Sequence, residues 1–244
     1  MNRSRQETIV ELNIELDFKL GKNIEELYKA KFVNWKGKTK DTDEYYTEVI
    51  AKELLTHLKA FYGISPVTRN GSYCTGSHSR IEIDLAKSNR DEENFAKRIM
   101  GLELEYLGII KDFQIPLKST LDDAGLGKID LISYKEETKT LFLIELKYKG
   151  NEKDTLLRSL LEIYTYYKTI DTRKLISDYR SDYRSDYRLD VKMIKPVVLL
   201  VPKCLACDEL REMKSNERPM LKALSLALEI KFFTLELSVN EVSL

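Results

Sequence analysis

Nowhere does this chain carry an apolar run approaching the roughly 20 residues that a membrane-spanning helix needs. Its first residues, Met1-Asn2-Arg3-Ser4-Arg5-Gln6, lack the apolar segment of a secretory leader. The expectation is a soluble, cytoplasmic protein. Net charge is missing too: 40 Lys and Arg cancel 40 Asp and Glu, so no global field draws the chain to a polyanion. Any phosphate binding must come from a local patch. Three cysteines exclude a disulfide framework. No glycine-rich phosphate loop or cofactor fingerprint occurs, which leaves small-molecule cofactor chemistry without a signature. One of the two histidines, His57, sits on an amphipathic segment beside apolar positions and reads as structural.

What is present is a core and a charged hairpin. A length of 244 residues with 43% hydrophobic side chains suits one large domain, or a core with an appendage. Near the middle, Gly127-Lys128-Ile129-Asp130-Leu131-Ile132 and Phe142-Leu143-Ile144-Glu145-Leu146-Lys147-Tyr148 read as two strands joined by a polar turn, Lys135 to Lys139. The charges set among their apolar residues are Asp130, Glu145 and Lys147. Glu145 and Lys147 are two apart, so on a strand they share a face. A turn centred near Glu137 brings Asp130 opposite Ile144 or Glu145, and either register makes the two carboxylates neighbours. Charges among Ile, Leu and Phe are costly to bury unless paired or bound to a metal. Two acids and a lysine on one hairpin edge therefore suggest a site for a hard divalent cation.

At these residues the chain resembles the PD-(D/E)xK nuclease superfamily, whose motif is an acid on one strand and acid-any-lysine on the next. Here these are Asp130 and Glu145-Leu146-Lys147; Ile129 stands where the family's usual proline would be. The flanking elements fall in a matching order. Asp91 to Leu107 reads as a helix with Phe95, Ile99, Leu102 and Tyr106 as its apolar stripe. Ile109 to Leu117 reads as a strand, Asp154 to Ile170 as a helix, and Lys195 to Val201 as a buried strand. Helix Pro219 to Leu228 and strand Lys231 to Val239 follow. The fold class expected is α/β (α+β), a restriction-endonuclease-like core of helix, three strands, helix, strand around a mixed sheet. That core occupies residues 90–244, behind an N-terminal extension of residues 1–89. In the extension, Val10 to Leu16 and Ile81, Ile83, Leu85 alternate like strands. Asp43 to Tyr62 is an amphipathic helix with Asp41 and Glu44 spaced as a capping box.

The resemblance implies a Mg²⁺- or Mn²⁺-dependent phosphodiesterase, a nuclease acting on nucleic acid, DNA ahead of RNA. Asp130, Glu145 and the backbone carbonyl of Leu146 would hold the cation, and Lys147 would orient or deprotonate the attacking water. The family adds a glutamate from the first core helix. Glu92 lies on the stripe with Phe95 and Ile99, whereas Glu93 is turned about 100° away; both also suit a first helical turn for the sake of its dipole. On the helix after the motif, Arg158, Glu162 and Tyr166 fall on one face and become substrate-facing candidates. Glu162 stands where many members have glutamine. Arg158 has two readings, a phosphate contact or a pair with Glu162. Double-strand cleavage would call for a homodimer. The rival is a nuclease-fold binding or scaffold module without catalysis.

Two further features remain. Ser177 to Arg188 is three copies of Ser-Asp-Tyr-Arg. Arginine and tyrosine together can hold single-stranded nucleic acid, but the interleaved aspartates cancel the charge, and the expectation is an exposed helical extension without a ligand. Cys204-x-x-Cys207 with Cys74-x-x-x-His78 has the residue types for zinc, but the two halves lie far apart in sequence, so reduced buried thiols are expected.

Overall fold

A computed structural model of the chain describes residues 3–20, 23–74, 91–117, 127–181 and 189–235. The expected strand at Ile81 to Leu85, residues 236–239 of the last expected strand and residues 182–188 of the repeat lie outside these residues. The fold is mixed α/β with one six-stranded mixed sheet in the order β1-β2-β3-β4-β5-β6. The strands are β1 (Glu103–Leu104), β2 (Gly108–Pro116), β3 (Lys128–Lys135), β4 (Thr140–Lys147), β5 (Met193–Leu200) and β6 (Lys231–Thr234). The first four pair antiparallel with their neighbours. β5 runs parallel to β4: Lys139 O accepts from the amides of Lys192 and Met193, and Lys147 O accepts from Val201. A helical crossover, α5 (Leu156–Thr169), makes that parallel pairing possible.

The chain divides into two compact units. One comprises Met1–Tyr62, Lys147–Leu161 and Val198–Leu244; the other comprises Gly63–Leu146 and Glu162–Val197. In the first unit the expected strand at Val10 to Leu16 is instead part of helix α1 (Arg5–Leu20). The alternation misleads because it contains two helical stripes. Thr8, Leu12 and Leu16 are fully buried at i, i+4 spacing, while Val10, Ile14 and Phe18 form an exposed stripe on the same spacing. The signal that distinguishes the two readings is Ser4-Arg5-Gln6-Glu7. Ser4 Oγ accepts from the Glu7 amide at 3.1 Å, and Glu7 Oε2 accepts from the Ser4 amide at 2.6 Å, a reciprocal capping box. That bond to the Ser4 amide, with Lys40 and the Ser4 hydroxyl, lowers the Glu7 carboxyl to about 2.

The other proposed box does not form. Asp41 accepts from the Arg5 amide, Asp43 takes a left-handed φ of 55°, and α2 (Tyr46–Thr56) opens on Tyr45 with no side-chain cap. After α2 comes the short α3 (Leu58–Tyr62), so the expected Asp43 to Tyr62 helix is two helices. Further along the unit, α7 (Leu205–Lys214), not anticipated from sequence, precedes α8 (Pro219–Ala227). Buried acids complete these helix ends. Glu48 accepts from the Met220 and Leu221 amides at 2.8 Å each, and Glu209 accepts from the Leu156 amide. Arg218, buried to 5% exposure, donates to Glu212 and Thr47 and lies 3.4 Å from Glu209.

In the second unit the central strands are apolar on both faces: Ile129, Leu131, Ile132, Leu141, Leu143 and Ile144 are fully buried. This is why their sequence reads as a continuous apolar run rather than an alternation. Helix α4 (Asp91–Arg98) packs on β2 and β3. It stops well short of Leu107 because Gly101 takes φ 78°, the left-handed turn that ends a helix. Phe95 and Ile99 are buried as expected; Leu102 and Tyr106, past the stop, are exposed at 40% and 63%. Helix α6 (Thr172–Ser181) takes in the first copy of the repeat, and that copy is not simply exposed. Tyr179 is buried and its hydroxyl donates to Asp112 at 2.9 Å, while Asp178 accepts from the Tyr73 amide at 2.8 Å.

The carboxylate of Glu48 is a load on the first unit that can be measured. Glu48→Ala leaves two α8 amides without their acceptor and should cost about 1–2 kcal/mol. A urea titration that gives unchanged midpoints for wild type and variant would contradict this role.

Candidate functional site

The β3–β4 ladder ends with Leu131 against Ile144, and continuing that register by one residue sets Asp130 opposite Glu145. Of the two registers open from the sequence, this is the one that places the acids directly opposite, on one face of the ladder. Asp130 is half-buried and Glu145 is 3% exposed. The Asp130 carboxylate is held at both oxygens. Oδ2 accepts from the Leu146 amide at 2.9 Å, and Oδ1 accepts from Gln114 Nε2 at 3.2 Å.

Gln114 was not foreseen. Phe113 faces Leu131 and Ile115 faces Ile129, so Gln114 faces Asp130 from the opposite neighbour, β2. Its φ is 53°, a left-handed conformation inside a strand. Such strain persists where the surroundings over-determine it and gathers at functional positions. The three strands thus line up Gln114, Asp130 and Glu145 in a row. The sequence offered only a weak clue to Gln114, a polar residue within an apolar strand.

Glu92 does not complete this row. Among the described residues no three His, Cys, Asp or Glu side chains form a group suited to a metal, so Glu92 is not gathered with Asp130 and Glu145. Its neighbour Glu93 pairs with Lys97 one turn on at 2.9 Å. The two acids, half-buried at the start of α4, thus match the placement that the helix dipole alone would favour.

Lys147 lies two residues beyond Glu145 on β4 and is 4% exposed. Its Nζ sits 3.5 Å from Asp154 Oδ2, an acid not singled out from sequence. Asp154 gathers four partners. Arg158 NH1 donates to Oδ1 at 2.7 Å, Asn151 Nδ2 to Oδ2 at 3.1 Å and Asn34 Nδ2 to Oδ1 at 3.4 Å, in addition to the Lys147 ammonium. Burial pushes the Asp154 carboxyl up, but the charges of Lys147 and Arg158 and the two amide bonds outweigh it and hold the group below its ordinary value. Arg158 thus pairs with Asp154, a partner that neither reading from the sequence named. The i, i+4 spacing of Asp154 and Arg158 was the available signal.

Local turns place this cluster. Asn151 Oδ1 accepts from the amides of Lys153 and Asp154, an Asx turn that leads into α5. Thr155, fully buried, accepts from the Arg158 amide at 3.1 Å and donates to Val33 O. Asn34 Oδ1 accepts from the Thr155 amide at 3.1 Å. The segment Lys31–Asn34, a short 3₁₀ turn, therefore belongs to the same cluster as the residues after the motif. A cleft of about 670 Å³ opens here, with Asn34, Lys36, Asn151, Lys153, Asp154 and Arg158 among its walls. It supplies a local set of cations in a chain without net charge.

The other two substrate-facing candidates turn inward. Tyr166, 4% exposed, donates to Glu162 Oε1 at 2.9 Å, and Glu162 is 8% exposed. Gly127 admits the tyrosine: a Cβ there would fall 2.0 Å from the Tyr166 hydroxyl. Tyr166 thus lies against Gly127, just before β3. No helix among the described residues is long and apolar enough to cross a membrane. Comparison with protein-family models, curated proteins and solved structures finds no match.

The depressed Asp154 carboxyl has a pH consequence of definite sign. A group whose folded pKa lies below its usual value of 3.8 stabilises the fold above about pH 4. That contribution is lost as pH falls through the folded value. Stability of wild type should therefore drop more steeply than that of Asp154→Asn between pH 4 and 2, read by denaturant midpoints. Parallel acid limbs would contradict the assignment.

Proposed function

We propose that this chain is a divalent-metal-dependent nuclease of the PD-(D/E)xK type, hydrolysing phosphodiester bonds in nucleic acid, DNA ahead of RNA. The observation that supports the reading is the register of Leu131 against Ile144, whose continuation sets Asp130 opposite Glu145, two residues before Lys147. The element order supports it, with α4, the antiparallel strands β2–β4, α5 and then β5 parallel to β4.

The donor set fits a hard cation: two carboxylates and the Leu146 carbonyl are all oxygen. Mg²⁺ is commonly held by one or two carboxylates and keeps several waters, so the lack of Glu92 in the group does not disqualify it. The bonds from Gln114 and the Leu146 amide fix the Asp130 carboxylate in orientation, as outer partners of a metal ligand do. Once bound, the cation would polarise a phosphate oxygen and lower the pKa of a water. Lys147, kept in place by Asp154, supplies positive charge where the phosphorane charge develops. Arg158, Lys36 and Lys153 offer phosphate contacts in the cleft, Arg158 with its geometry set by Asp154. A homodimer presenting two such sites is the arrangement that double-strand cleavage would use.

One observation favours the second reading, a nuclease-fold scaffold without catalysis. Glu162 and Tyr166 bond to each other, and Arg158 bonds to Asp154.

Incubation of the protein with single- and double-stranded DNA and RNA plus Mg²⁺ or Mn²⁺ separates the two. The nuclease reading expects metal-dependent cleavage that falls by about 10²-fold or more in Lys147→Ala. It also expects none in Asp130→Asn, whose fold survives because the asparagine oxygen can accept from the Leu146 amide while its NH2 donates to the Gln114 amide oxygen, that side chain turning over. Intact substrate with every metal, from a folded wild type, supports the scaffold.

A further inference from the structure

The turn between β5 and α7 carries a feature that the nuclease reading does not use. Cys204 is the N-cap of α7, in extended conformation, and Cys207 is the third residue of the helix. The Cys207 amide donates to Cys204 O at 3.0 Å, which closes the turn. It brings the two sulfurs to 2.9 Å of each other, with both side chains buried. Cys207 Sγ also donates to Val201 O at 3.3 Å. A structural zinc site needs four ligands, and among the described residues no third His, Cys, Asp or Glu joins this pair. Two thiols in contact at the start of a helix that follows a strand are instead the arrangement of a dithiol redox pair.

The electrostatics act in the same direction. The hydrogen bond from Cys204, opposed by burial and assisted by the Cys204 backbone and by Arg211, lowers the Cys207 thiol to about 7. The same bond, with burial, pushes the Cys204 thiol up. One sulfur is thereby disposed to attack and the other to resolve.

The backbone around the pair is laced to the strand end that carries Lys147. Val201 N donates to Lys147 O at 2.8 Å, Gly150 N to Lys203 O at 2.9 Å and Leu205 N to Asn151 O at 3.0 Å. Three bonds thus tie residues 201–205, which hold the pair, to residues 147–151, which lead into the cleft.

We propose that Cys204 and Cys207 form a reversible intrachain disulfide, and that residues 201–205 pass its state to residues 147–151. The oxidant is a small-molecule disulfide such as oxidised glutathione. The Cys207 thiolate attacks one glutathione sulfur, forming a mixed disulfide and releasing one glutathione thiolate. The Cys204 thiolate then displaces the second, and the two protons given up by the cysteines end on the two glutathione thiols. The protein pair is oxidised by two electrons and glutathione disulfide is reduced by two. This inference does not rest on the nuclease reading.

The wild-type chain tests it directly, because cleavage after Lys203 and Arg211 releases one tryptic peptide that holds both cysteines. Folded protein would be equilibrated in glutathione buffers from fully reduced to fully oxidised, quenched in acid, alkylated unfolded, digested and weighed. The expected result is a peptide 204–211 lighter by two hydrogens in the oxidising buffers, and restored by dithiothreitol. Two alkyl groups on that peptide in every buffer would overturn the proposal. Hydrogen exchange read over residues 147–151 should differ between the two forms; identical protection would overturn the transmission.

Discussion

A single pairing, Leu131 against Ile144, decides where each charged group of the β3–β4 hairpin falls. Side chains alternate with period two, so a slip of one residue would set Asp130 opposite Ile144 and leave Glu145 beside it on the other face. Leu131, Ile132, Leu143 and Ile144 are fully buried, so the hairpin has apolar packing on both faces. The Asp130 bond to the Leu146 amide locks the same register from the polar side. Gln114 completes the row at the cost of a left-handed φ within β2. Packing energy here holds two like charges side by side, which repulsion alone would separate.

The same economy governs the buried charges elsewhere. Glu48 and Glu209 sit at the N-termini of α8 and α5, where helix amides accept a negative charge favourably. Arg218 lies between Glu212 and Glu209. Asp154 balances the Lys147 ammonium and the Arg158 guanidinium while Asn34 and Asn151 complete its bonds. Breaking one partner of such a buried set costs about 3–5 kcal/mol, because the other charge is left behind. These interactions also tie early residues into the first unit: Asn34, Thr47 and Glu48 bond to residues more than a hundred positions away.

Much of this was legible in the sequence where one periodicity dominated. The apolar runs of β2 to β5, the polar turn after Lys135 and the Pro219 helix start each follow from local pattern, and turn position makes Asp130 and Glu145 neighbours while leaving two registers open. Legibility failed where a segment satisfied two patterns. Val10 to Phe18 alternates and also carries two i, i+4 stripes, and only the Ser4–Glu7 box breaks the tie. It failed again where tertiary bonds add partners: Arg158 reads as a residue for phosphate or Glu162, and it bonds Asp154, which neither reading names. Tyr179 looked like part of a solvated repeat, yet Asp112 draws its first copy into the core. Gln114 could not be assigned before its cross-strand neighbour was known.

The central claim is that Asp130 and Glu145 face each other to hold a divalent cation. Isothermal titration of the purified protein with Mn²⁺ tests this most directly, since it needs neither a substrate nor turnover. The account predicts a saturable binding event in wild type that is lost in both Asp130→Asn and Glu145→Gln while their circular dichroism stays that of wild type. Absence of binding in folded wild type, or binding that persists unchanged in both variants, would contradict it.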